Sequence, residues 1–146
     1  MRSSTLLSIT VLITAVLAQP VFAQEKSVTL YKDINCGCCE AYAEYLEEKG
    51  YSVNRVNSDN MYQVKKKFAT DQVASCHTVD FGKYVVEGHV PVEAIDMMLA
   101  NQPDIRGIAL PGMPYNSPGM GPEKKGSLNV LQIDKEGNPT GLFTNL

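Results

Sequence analysis

The sequence predicts an α/β domain with the element order β-α-β-α-β-β-α, followed by a breaker-rich loop and a closing hairpin. Three observations carry this reading. Segments with period-two apolar alternation are interleaved with segments whose apolar residues recur every three or four positions. Glycine and proline fall mainly at the joints between them. The densest group of reactive side chains, three cysteines in four positions, lies where the first strand pattern gives way to the first helix pattern.

Ser27 to Lys32 (SVTLYK) alternates apolar and polar and reads as a strand, followed by the loop Asp33-Ile34-Asn35-Cys36-Gly37. From Cys38 to Lys49 the residues Cys39, Tyr42, Ala43 and Leu46 keep the spacing of one buried helical face, and Gly50 supplies the stop. Ser52 to Asn57 alternates again as a second strand. Asp59 is the expected N-cap of a second helix burying Met61, Val64 and Phe68 and fading near Thr70. Thr78 to Phe81, the turn Gly82-Lys83, and Tyr84 to Glu87 read as a β-hairpin. Pro91 opens a third helix at the position where proline is best tolerated; Val92, Ile95 and Leu99 form its stripe, and Pro103 closes it. This order is that of the thioredoxin-like fold, in which the first helix starts at the reactive cysteines. Beyond it, Pro111 to Pro122 is too rich in proline and glycine for regular structure, and Leu128 to Asp134 with Gly141 to Thr144 suggests a final hairpin.

Residues 1–23 read as a signal peptide. Arg2 precedes an apolar run from Leu6 to Leu17, and Val21-Phe22-Ala23 resembles a small-residue cleavage site before Gln24. That run is shorter than the roughly 20 residues a bilayer-spanning helix needs, so no membrane span is expected after cleavage. Removing 23 of the 146 residues leaves 123, enough for a single domain at 24–146, with a core over about 27–110 and the loop and hairpin over about 111–146. Losing Arg2 leaves 12 basic side chains against 16 acidic ones, with only Lys65-Lys66-Lys67 as a basic cluster. Nucleic acid is therefore not an expected partner, and the lysine run reads as a solvated helix face.

Export sharpens the question of the cysteines, because an oxidising compartment turns thiol pairs into disulfides unless a metal or a reductant intervenes. Cys36-Gly37-Cys38-Cys39 places three sulfurs at a helix N-terminus, where unpaired N–H groups and the helix dipole favour thiolate, the form that binds metal or attacks a disulfide. Cys76 follows 37 residues after Cys39, with His77 directly behind it. In a thioredoxin-like fold the segment entering the third strand packs beside the cysteine loop, and His89, after the fourth strand, returns to the same rim. Met113 and Met120, in Gly-Met-Pro and Pro-Gly-Met settings, belong to no helical stripe and are candidate soft ligands; Met97 and Met98 on the third helix read as packing residues. Thiolates and thioethers together select Cu(I), whereas zinc rarely takes methionine. Four thiolates plus imidazoles exceed the needs of one Cu(I), which points to bridging sulfur and more than one ion.

The blocks Cys36-Gly37-Cys38-Cys39, Ala74-Ser75-Cys76-His77-Thr78, Val86-Glu87-Gly88-His89-Val90-Pro91 and Pro111-Gly112-Met113-Pro114 with Ser117-Pro118-Gly119-Met120 resemble the CopG-like family of periplasmic metal-binding proteins associated with bacterial copper resistance. The resemblance spans nearly all of the chain after the leader. It implies a thioredoxin-like domain holding copper in the periplasm of a Gram-negative bacterium, for detoxification or transfer, with a copper chaperone or efflux component as the further partner. It also implies Cys36, Cys38, Cys39 and Cys76 as principal ligands, with His77, His89, Met113 and Met120 as candidates. The competing reading is an enzyme: a thiol–disulfide or copper-redox oxidoreductase in which Cys36 attacks and Cys39 resolves. Cys38 argues against it, since a third thiol competes for disulfide pairing, so binding is favoured over catalysis.

Overall fold

Strand β1 (Lys26–Asp33) turns Val28, Leu30 and Lys32 inward, the alternation its sequence carries. It feeds helix α1 (Gly37–Glu48), whose buried residues Cys39, Tyr42, Ala43 and Leu46 are the face read from the sequence. The chain then returns as β2 (Tyr51–Ser58), parallel to β1. In this computed structural model, which describes residues 26–146, the expected leader at 1–23 lies outside the described residues.

Helix α2 (Met61–Phe68) starts one residue later than expected: Asn60, not Asp59, is the N-cap, and its side-chain oxygen accepts from the Gln63 N–H at 3.1 Å. Phe68 is buried, while Met61 and Val64 are half-buried. Lys65 overturns the reading of a solvated lysine face, for it is buried and salt-bridged to Glu87, with Lys66 and Lys67 left outside. Periodicity counts a lysine as polar and cannot see a buried partner waiting for it.

Strands β3 (His77–Asp80) and β4 (Val85–Glu87) form the hairpin, and β3 also runs antiparallel to β1. Helix α3 (Val92–Asn101) has Pro91 as its N-cap and buries Ala94, Ile95 and Met98; Met97 faces outward. The sequence pattern missed β5 (Gly107–Ala109), three residues too short to show alternation. It lies parallel to β4, and Gly107 approaches so closely that a Cβ there would fall 1.9 Å from the Val85 carbonyl oxygen. β6 (Asn129–Ile133) and β7 (Pro139–Asn145) close the sheet, which has the order β2-β1-β3-β4-β5-β6-β7.

The described residues thus form a mixed α/β fold with one seven-stranded sheet and three helices. One core packs α1 and α3 onto the sheet through Leu30, Tyr42, Leu46, Ile95, Met98 and Ile108. The other packs Phe68 of α2 with Val73, Val85, Ala109 and Ile133. Each fully buried aliphatic of this size contributes about 1.5–3 kcal/mol relative to exposure. The β1–β3 register sets up the site: His77 pairs with Lys32, so β3 begins beside the point where β1 releases the cysteine loop. Among the described residues no helix is long and apolar enough to cross a membrane.

Candidate metal centre

Cys36 is the N-cap of α1, and its backbone oxygen accepts from the Glu40 N–H at 3.3 Å. One turn of helix then brings the Cys39 sulfur back over it, and the two are joined as a disulfide with their Cα atoms 5.3 Å apart. Cys38 and Cys76 are free thiols. Cys38 Sγ lies 3.5 Å from Cys36 Sγ and 3.9 Å from Cys76 Sγ, and Cys39 Sγ lies 3.7 Å from the Cys76 carbonyl oxygen. The four sulfurs all fall within 4.8 Å of one another. The 37 residues separating Cys76 from Cys39 in sequence are therefore closed by the β1–β3 ladder.

The β3–β4 hairpin brings in the imidazoles. Thr78 pairs with Glu87, so the same register carried two residues further sets Cys76 opposite His89. His77 and His89 are fully buried, their rings 5.0 Å apart and edge to face. The side chain of Tyr42 walls them off, stacking on His77 at 4.7 Å while its hydroxyl donates to the Val90 carbonyl at 2.7 Å.

Backbone carbonyls assign the tautomers. His77 Nε2 lies 3.1 Å from the Gly88 oxygen and must carry the proton that it donates; Nδ1 then has a free lone pair, 3.5 Å from Cys76 Sγ. His89 is the mirror case, with Nδ1 donating to the Pro118 oxygen at 2.7 Å and Nε2 facing Cys76 Sγ at 3.7 Å. Burial, with the second imidazole adding to it, pushes the His77 pKa down to about 3, and burial lowers that of His89 too, so both rings are neutral at physiological pH. Burial and the neighbouring Cys38 push the Cys76 thiol up to about 12. Cys76 thus holds its proton beside two imidazole lone pairs, and a soft cation can take that proton's place. Neutral imidazoles oriented by carbonyls on their far nitrogens are what metal ligation requires.

Two overlapping donor sets result: Cys36, Cys38, Cys39 and Cys76, and Cys76, His77 and His89. Cys76 belongs to both. The loop carrying the two methionines is docked over this region at three points. Gly112 N–H donates to the Ala74 carbonyl at 2.9 Å, Pro118 accepts from His89, and Gly119 packs on α1 so tightly that a Cβ would lie 2.9 Å from the Tyr42 nitrogen. On it Met113 is 57% exposed, pointing into solvent, and Met120 is half-buried. A cleft of about 460 Å³ lined by Pro91, Glu93, Leu128 and Leu146, among others, contains none of these sulfurs or imidazoles.

The polar support beneath the site has no distinctive sequence pattern. Glu87 is fully buried and accepts from Lys65, Thr70, Ser75 and Thr78. The only sequence signal was an acidic residue closing the apolar run Tyr84 to Glu87, which reads equally well as a strand end meeting solvent.

Residues 73–120, which carry Cys76, His77, His89, Met113 and Met120, match the family model described as "Protein of unknown function, DUF411". Two solved structures, "Copper resistance protein copG- Form 1" and "Copper resistance protein copG- Form 2", each align with a TM-score of 0.74 at 30% identity, covering 84% of this chain. The alignment takes in 98% of the first and 99% of the second. No curated protein matches the chain. On the strength of that identity and coverage, the chain belongs to the CopG-like family of copper resistance proteins.

Proposed function

We propose that this chain is a periplasmic copper-binding protein that holds Cu(I) as a multinuclear thiolate cluster, for sequestration or for transfer to an efflux component. The observation that carries the proposal is the position of Cys76, whose sulfur belongs both to the sulfur-rich set and to the imidazole set. A thiolate in that position bridges two ions, and thiolate with imidazole is a donor combination suited to copper. Family membership and the copper-resistance names of the two structural relatives support the same metal. The arrangement around α1, with reactive cysteines at a strand-to-helix junction, supports a thioredoxin-like reading of residues 27–110. Residues 1–23 act as the export signal in this account. Cys36, Cys38, Cys39 and Cys76 are the principal ligands, with His77 and His89 completing the second set; Met113 and Met120 are weak, exchangeable contacts at the mouth.

Anaerobic titration of the fully reduced chain with Cu(I) tests this. More than one equivalent should bind before a competing chelator takes up copper. Saturation at one equivalent contradicts the multinuclear reading.

The Cys36–Cys39 disulfide favours a second reading, a thiol–disulfide oxidoreductase of the thioredoxin type. Turnover of insulin or glutathione disulfide by the metal-free reduced chain, beside copper retained on purification from copper-supplemented periplasm, separates the two. Rapid turnover without retained copper establishes the enzyme; retained copper with negligible turnover establishes the binding protein.

A further inference from the structure

All four lone-pair positions of the Glu87 carboxylate are filled. Oε1 accepts from the Thr70 and Thr78 hydroxyls at 2.5 and 2.7 Å, and Oε2 accepts from the Ser75 hydroxyl at 2.5 Å and from Lys65 Nζ. Lys65 Nζ also donates to Ser75 Oγ at 2.7 Å. The Ser75 oxygen lies 2.9 Å from the His77 carbonyl as well, but a hydroxyl has one proton and the charged acceptor takes it. Both Glu87 and Lys65 are buried, and the copper reading gives neither a task.

Stability alone accounts poorly for this network, since well-packed apolar residues often replace a buried ion pair without loss. What apolar side chains cannot supply is direction. The four bonds draw α2, the connection after it and β3 onto the end of β4. That connection, from Thr70 to Cys76, forms neither strand nor helix, and the β1–β3 ladder begins only at His77, so Ser75 and Cys76 lie just outside its pairing. Instead three consecutive residues are cross-linked to three others: Ser75 to Glu87, Cys76 to His89 and His77 to Gly88. Gly88 allows the close approach, because a Cβ there would meet the Leu110 carbonyl oxygen at 2.4 Å and Ser75 Cβ at 3.5 Å.

We infer that Glu87, held by Lys65, is a positioning residue that acts through Ser75 to fix Cys76 where the sulfur trio and the two imidazoles meet. The inference deepens the copper reading and rests on it only for the identity of the ion.

Two variants delete one hydroxyl each from the same carboxylate, at different distances along the chain from the site. Ser75→Ala removes the bond next to Cys76, together with the oxygen that accepts from Lys65; Thr70→Val removes one at the exit of α2. Three quantities are measured: melting temperature, the alkylation rate of Cys76 in the reduced metal-free chain by mass spectrometry, and Cu(I) affinity against a chelator. Both variants should melt somewhat lower, by similar amounts. Only Ser75→Ala should alkylate several-fold faster at Cys76 and bind Cu(I) about tenfold more weakly, the usual scale for losing a group that orients a ligand. The inference is overturned if Ser75→Ala matches the wild type in both, or if the two variants change alike in step with their melting temperatures. Should the wild type take up no Cu(I), the copper reading fails, and the alkylation comparison still decides the positioning claim.

Discussion

At the scale of single residues, the chemistry depends on what each sulfur and imidazole has for a neighbour. Cys38 Sγ sits between Cys36 and Cys76, in contact with both, and a two-cysteine exchange cycle has no use for it. Replacing it tests the binding account: Cys38→Ser should lower the Cu(I) capacity of the reduced chain by about one equivalent. An unchanged stoichiometry removes Cys38 from the ligand set. His77 couples folding to pH. Its pKa of about 3 lies below the unfolded value near 6.5, so between these limits the unfolded chain binds a proton that the folded imidazole refuses. The metal-free protein should therefore lose stability as pH falls through that window. His89, also lowered by burial, acts with the same sign, as do Glu47, lowered by its bond to Arg55, and Asp134, lowered by the Asn138 N–H, at lower pH. Urea midpoints taken from about pH 7 down to about pH 4 should decline, and decline less steeply in His77→Gln. Parallel slopes in the two proteins would contradict a neutral His77.

At the scale of elements, the parts legible in the sequence were those with local causes. The face of α1 follows from the three-and-four spacing of Cys39, Tyr42 and Leu46, and the hairpin of β3 and β4 from β-branched arms around Gly82. The Asx cap slipped by one because Asp59 and Asn60 are adjacent and chemically alike. Pairings between distant segments left no local trace. Nothing in Val85 to Glu87 announces a parallel partner at Gly107, and nothing in the lysine run distinguishes buried Lys65 from its exposed neighbours. The candidate donors are visible in the sequence as residue types, since cysteine and histidine in such blocks point to few chemistries. Their hydrogen-bonded supports, Ser75 and Glu87, are not, because serine and glutamate have many ordinary roles. Gly119, in the methionine loop, has a φ of 77° and no room for a Cβ against Tyr42 and Ala41. Gly119→Ala should destabilise the protein by about 1–3 kcal/mol through strain at that backbone position. By lifting the loop it should also loosen the Pro118 carbonyl from His89 and weaken Cu(I) binding. Wild-type copper affinity in a destabilised Gly119→Ala protein would show that the loop does not hold His89.

For the molecule as a whole, the sheet order makes one end of β1, β3 and β4 a meeting place, and the redox state of the chain decides what is available there. With Cys36 and Cys39 joined, two free thiols and two imidazoles remain; with that bond reduced, all four sulfurs do. The oxidised chain should accordingly load fewer copper ions than the reduced chain, as counted by native mass spectrometry on samples whose thiol content is measured in parallel. Equal loading in both states would place the copper away from Cys36 and Cys39.

The shared sulfur of Cys76 is tested most directly by X-ray absorption on the reduced chain loaded to saturation with Cu(I). Sulfur and imidazole nitrogen should appear together in the copper shell, with a short copper–copper vector that disappears in Cys76→Ser. A sulfur-only shell with no copper–copper vector in the wild type would contradict a shared Cys76 sulfur.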